Sequence, residues 1–220
     1  MQRLTRLIKK NYIEILFLIT LGAASSLSLP PYNYLIINFF TFTTFFIFLF
    51  NKSKIINNKK TSFFYGWLFG FGYFFSSLYW ISISLTFDQS FKFLIPFALL
   101  FIPAFLAIFY GLITYLFSIF FSKNVISSFL IFSVLFGLME YIRGLILTGF
   151  PWNLISFSFS NNIYFIQILS VIGSYSFNLI CISLFTVPAV FILRNSIKEV
   201  LVCLVFILIS FGFLIYGSYK

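Results

Sequence analysis

Long apolar runs separated by short polar or breaker-rich stretches cover the chain from end to end, at 12–29, 33–50, 61–85, 93–121, 125–143, 163–193 and 200–217. A helix crosses the hydrocarbon core of a bilayer with roughly 20 mostly apolar residues. The pattern therefore predicts an all-α integral membrane protein, a bundle of about seven transmembrane helices forming one polytopic domain over residues 1–220. Several runs exceed the minimum and must tilt, kink or protrude, and Pro96, Pro103 and Pro188 are the candidate kink or helix-start positions. No fixed-period repeat and no matched pair of interrupted helices stands out, which argues against an inverted-repeat transporter.

Composition agrees with this reading. Of the 220 residues 61% are hydrophobic and 8% charged, where soluble domains carry about a quarter charged. The net charge of +10 would suit a polyanion, but the basic residues gather in short runs between apolar stretches, so membrane topology accounts for them and no nucleic-acid partner is expected. With the amino terminus inside, the inner segments hold Arg3, Arg6, Lys9, Lys10, Lys52, Lys54, Lys59, Lys60, Lys123, Arg194 and Lys198, and the outer ones hold Lys92, Arg143 and Lys220. This bias predicts an odd number of spans, with the amino terminus cytoplasmic and the carboxyl terminus outside. The basic start followed by an apolar run ending in Gly22-Ala23-Ala24-Ser25-Ser26 also has the look of a signal peptide. Glu14 within the run and the polytopic remainder favour a retained first span. The abundance of Phe, Ile, Asn, Lys and Tyr fits an AT-rich genome, so residue identity on lipid-facing surfaces carries little functional weight.

Candidate chemistry is sparse. Histidine is absent, and Cys181 and Cys203 lie in apolar stretches without metal-ligand spacing, as small packing residues do. No cofactor or metal is expected. Of the four acids, Glu14, Asp88 and Glu199 read as solvated charges near span boundaries or in a turn. Glu140 lies inside the fifth apolar run, three residues before Arg143, so both occupy one helix face within pairing reach. Two readings stand side by side: an ion pair near the outer interface with Arg143 snorkelling to headgroups, or a polar anchor for a phospholipid headgroup or acyl-chain portal. Neither makes a catalytic dyad, because no second acid, histidine or activated nucleophile accompanies it.

The segment 144–162 is the longest polar-leaning outer stretch and the place to look for function. Gly144, Gly149 and Pro151 end the helix there, and Phe150 and Trp152 read as interfacial anchors in a re-entrant or interfacial turn. Tyr79 and Trp80 read as belt aromatics at the outer end of the third run, where Gly66, Gly70 and Gly72 allow a neighbouring helix to approach closely.

In chain order, Leu29-Pro30-Pro31-Tyr32, Gly72-Tyr73, Tyr79-Trp80, Glu140-Tyr141-Ile142-Arg143, Gly149-Phe150-Pro151-Trp152, and Gln167-Ile168 with Gly173 resemble the amino-terminal membrane domain of apolipoprotein N-acyltransferase. The most specific part is Glu-x-x-Arg separated by five residues from Gly-Phe-Pro-Trp. The resemblance implies a bacterial inner-membrane enzyme that moves an acyl chain from a membrane phospholipid to the amino-terminal diacylglyceryl cysteine of an apolipoprotein. In that family a periplasmic nitrilase-like domain supplies a catalytic Glu, Lys and Cys after the seventh helix.

No such set exists here. Lys220 follows the seventh run, neither cysteine resembles the family nucleophile, and no catalytic residue is assigned. The motif positions carry over as lipid-access or structural residues: Glu140, Arg143, Gly149, Phe150, Pro151, Trp152, Tyr79 and Trp80. The expectation is a membrane domain inactive without a nitrilase-like partner, a truncated product or half of a split enzyme completed by a separate chain. The alternative is a non-catalytic lipid- or partner-binding membrane protein or a degenerate remnant. A small transporter ranks behind both, since only Glu140 and Arg143 would line its path.

Overall fold

The computed structural model describes residues 2–55, 58–146 and 153–220, with side chains in the first helix from Tyr12 onward. Every element among them is helical: α1 (Gln2–Ser26), α2 (Ile36–Ile55), α3 (Lys59–Ser77), α4 (Ile81–Ser84), α5 (Ile95–Phe120), α6 (Val125–Ile146), α7 (Ile163–Ile166), α8 (Leu169–Ile192) and α9 (Ile197–Tyr219). Two 3-10 turns, Gln89–Leu94 and Ile155–Phe159, complete the order. The seven long helices correspond to the seven apolar runs, and α2, α5, α6, α8 and α9 are long and apolar enough to cross a membrane. The protein is a multi-pass helical membrane bundle.

Helices in lipid gain little from hydrophobicity when they associate, so close packing must hold them together. Glycines supply it for α3. A Cβ at Gly22 of α1 would strike the Phe69 carbonyl of α3, and one at Gly72 of α3 would strike the Ile19 carbonyl of α1. On its other side α3 meets α5: Gly66 leaves room for Tyr110 and Thr114, and Gly70 for Tyr110 and Ala107. The Thr114 hydroxyl donates to the Ser62 carbonyl at 2.6 Å, and the Trp67 indole to the Ala104 carbonyl at 3.0 Å.

Around this sandwich the core is built of rings. Phe45 of α2 stacks on Phe69 of α3 at 4.1 Å, while Phe46 meets Phe132 of α6 edge-on at 5.3 Å. Tyr110 of α5 meets Phe136 of α6 at 4.9 Å. Such edge and offset contacts each add about 0.5–1.5 kcal/mol beyond burial.

Two expectations shift. The run 61–85 is not one helix: α3 ends at Ser77, and Tyr79 and Trp80 lie in the turn before α4. The run 163–193 is divided into α7 and α8, and Gly173 (φ 74°, ψ 167°) interrupts helical geometry inside α8. That backbone region is open essentially to glycine alone. Of the three prolines, Pro96 takes a helix-start position in the first turn of α5, and Pro103 and Pro188 lie within helices.

The lone acids also read differently in three dimensions. Glu14 is partly buried between helices, accepting from Lys52 Nζ at 2.5 Å and Tyr65 Oη at 3.0 Å. Glu199 is buried and accepts from the Ser196 backbone N–H at 2.9 Å and hydroxyl at 2.5 Å, closing a capping box at the start of α9. Neither is the solvated charge expected. Asp88 is exposed as expected and caps the first 3-10 turn, where hydrogen bonds from Ser90 hold its carboxyl below the usual range.

Candidate functional site

Glu140 and Arg143 stand one turn apart near the carboxyl end of α6 and form an ion pair, both at 1% side-chain exposure or less. Arg143 does not snorkel. Its guanidinium lies over the Phe74 ring at 5.2 Å, a cation–π contact that strengthens when desolvated. Among the described residues, Arg143 Nε and Nη1 and the Tyr110 hydroxyl have no hydrogen-bond partner. A charge pair this deep persists only with compensation from its surroundings, here Phe74 and the fully buried Tyr73 and Tyr110, whose rings stack at 6.0 Å.

Tyr73 carries the arrangement outward. Its hydroxyl donates to the Asn153 carbonyl at 2.9 Å, and the Asn153 side-chain amide donates to the Ser77 carbonyl at 3.3 Å. Asn153 adopts φ 43°, a left-handed conformation that asparagine tolerates better than most residues. The chain after it does not float on the surface. Leu154, Ile155, Ser156, Ser158 and Phe159 are all buried. The Ser156 N–H donates to Asn178 Oδ1 of α8 at 2.9 Å, and Phe159 stacks on Phe165 and Phe185 at 4.3 and 5.5 Å. Residues 153–159 thus plug back into the bundle, while most of the re-entrant or interfacial turn expected over 144–153 lies outside the described residues.

Between this plug and the neighbouring helix ends lies a half-open cavity of about 460 Å³. The turn after α1 contributes Leu29, Pro30, Pro31 and Tyr32, the end of α3 contributes Ser76 and Ser77, and Tyr79, Trp80, Asn153, Phe157 and Ser160 close the circle. Aromatic rings and hydroxyls line it without a charged side chain. Tyr79 and Trp80 are 47% and 48% exposed, so they form a rim with one face toward the cavity.

Thus Tyr79 and Trp80 line the cavity, and Glu140 and Arg143 lie behind it, tied to its wall through Phe74 and Tyr73. Gly149, Phe150, Pro151 and Trp152 lie outside the described residues, immediately before Asn153. Sequence reasoning missed Tyr110, Asn153 and Asn178 as structural polar groups. Asn178 carried a readable signal, because a polar amide within an apolar run usually marks an inward-facing contact. Cys181 is fully buried and Cys203 nearly so, its thiol 3.8 Å from the Val187 carbonyl. Among the described residues, no cluster of acids and cysteines has metal-holding geometry.

Residues 21–186 match the family described as apolipoprotein N-acyltransferase N-terminal domain. The chain is 36% identical over 184 residues to the apolipoprotein N-acyltransferase of Rhizobium etli, covering 80% of this chain and 34% of that protein. It is 37% identical over 201 residues to that of Rickettsia typhi, covering 91% and 39%, and 41% identical over 167 residues to that of Rickettsia prowazekii, covering 76% and 32%. The chain spans about a third of the length of these curated relatives.

Proposed function

Because the chain belongs to the apolipoprotein N-acyltransferase N-terminal domain family, we propose that its 220 residues form the membrane part of such an enzyme. They make a single domain in a bacterial inner membrane and present a phospholipid for transfer of an acyl chain to the amino-terminal diacylglyceryl cysteine of a lipoprotein. The observation carrying this reading is the cavity, where family-like motifs distant in sequence, Leu29-Pro30-Pro31-Tyr32 and Tyr79-Trp80, face one another beside Asn153. Its uncharged, aromatic and hydroxyl-bearing wall suits the glycerol and upper acyl region of a lipid better than a free anion.

In this reading Glu140 and Arg143 are positioning residues. They hold Phe74 and Tyr73, and Tyr73 holds the plug that walls the cavity. Gly149, Phe150, Pro151 and Trp152 are assigned to lipid access on their motif alone. Transfer itself needs a nucleophile and a base, and the buried thiols of Cys181 and Cys203 are poorly suited to that task. The chemistry therefore falls to a nitrilase-like part, whether on the same polypeptide or on a separate chain.

Complementation tests this. In cells depleted of their own N-acyltransferase, residues 1–220 alone are expected to leave lipoproteins diacylated. A fusion to the nitrilase-like part of a relative is expected to restore the third chain, and Trp80→Ala to impair it. Triacylated amino termini from residues 1–220 alone, read by mass spectrometry, would overturn the division of labour.

A further inference from the structure

The opposite end of the bundle carries a second lipid-facing feature, remote from the cavity. Thr114 meets Ser62, and Gly111 makes room for the Phe63 ring, so the carboxyl half of α5 runs beside the amino-terminal end of α3. Between them opens a groove of about 230 Å³ lined by Lys60, Phe63, Leu112 and Tyr115, with a wholly apolar lining. Lys60 contributes its aliphatic stem to the wall, a geometry that leaves the ammonium group free to reach the polar boundary.

The charge pattern says what such a groove would hold. Only four acidic residues exist in the chain, and each is engaged elsewhere: Glu14 by Lys52 and Tyr65, Asp88 by Ser90, Glu140 by Arg143, and Glu199 by Ser196. Among the described residues Lys60 forms no ion pair. Exposed Lys59, Lys54 and Lys123 stand at the same end. An apolar slot beneath unneutralised ammonium groups at a bilayer boundary complements a ligand with an acyl chain below and a negative phosphate above.

We infer that the α3–α5 groove is a binding site for an anionic phospholipid, its phosphate against Lys60 and one acyl chain along Phe63 and Leu112. This site is separate from the motif-lined cavity and independent of the acyl-transfer reading.

The test is native mass spectrometry of the detergent-purified protein titrated with phosphatidylglycerol, phosphatidylcholine or inorganic phosphate. Phosphatidylglycerol should be retained about fivefold better than phosphatidylcholine, and Lys60→Gln should abolish that preference. Leu112→Trp, which fills the groove without altering charge, should lower phosphatidylglycerol retention, whereas Lys198→Gln should leave it unchanged. Lys60 and Leu112 are exposed, and each variant is expected to keep its helical content, as checked by circular dichroism. Equal retention of the two lipids overturns the site. So does a Lys198→Gln loss as large as that of Lys60→Gln, which indicates a diffuse basic collar. Full displacement by inorganic phosphate overturns the acyl-chain half of the proposal.

Discussion

The Tyr73 hydroxyl donates to the backbone carbonyl of Asn153, 80 residues further along the chain, at 2.9 Å. This one bond fastens the plug after α6 to the face of α3 that also carries Phe74, the ring beneath Arg143. Tyr73→Phe removes it without changing the ring. Thermal unfolding in detergent should show a loss of about 1 kcal/mol. In an acyl-transfer fusion the same change should reduce activity more than that loss explains, because the cavity wall is what loosens. A stability loss with unchanged activity would separate the plug from function.

For the buried pair, removing one partner leaves the other charge stranded. Arg143→Met and Glu140→Leu should each destabilise by about 3–5 kcal/mol. The double variant should cost far less than the sum, as measured by a double-mutant cycle of unfolding. Additive losses would mean that the two side chains act separately.

The α1–α3 contact gives a sharper contrast between glycines. Gly22→Ala places a methyl group against the Phe69 backbone, which cannot turn aside, and an overpacking cost of about 1–3 kcal/mol is expected. Gly212→Ala in α9 meets open space and should be neutral or slightly stabilising through helix propensity. Equilibrium unfolding in mixed micelles distinguishes the two.

Gly173 isolates a backbone effect from a steric one, since nothing lies within 4 Å of a Cβ built there. Gly173→Ala should still cost about 1–3 kcal/mol through its positive φ alone. The exchange protection of amides 169–172 should change with it. An unaltered protein would show that the interruption in α8 is not held by this residue.

The sequence pattern located all seven long helices because lipid demands long apolar stretches, and that demand is written directly in the chain. It could not mark where helices stop among apolar residues. Leu78-Tyr79-Trp80 is as apolar as α3 before it, yet the helix ends at Ser77. Likewise the α7–α8 break falls between Ile166 and Leu169. The Glu140–Arg143 pairing was legible from its three-residue spacing, a property of one helix. Its depth was not, since burial depends on Phe74, Tyr73 and Tyr110 arriving from α3 and α5 at matching height. Glu14 shows the same limit: its sequence neighbour Lys10 suggested a solvated boundary charge, whereas its partners are Lys52 and Tyr65 on other helices. The cavity was foreshadowed only by motif order, because no local pattern says that Pro31 and Trp80 share a wall.

Glu140 and Arg143 also bear on how the bundle meets an electric field. A single elementary charge moved across a membrane potential exchanges about 2.3 kcal/mol per 100 mV. Set one turn apart on the same helix and paired to each other, these two ions travel together and sum to zero, so voltage does almost no net work on α6. An arginine thereby sits deep in the interior with almost no net coupling of its pair to the membrane potential.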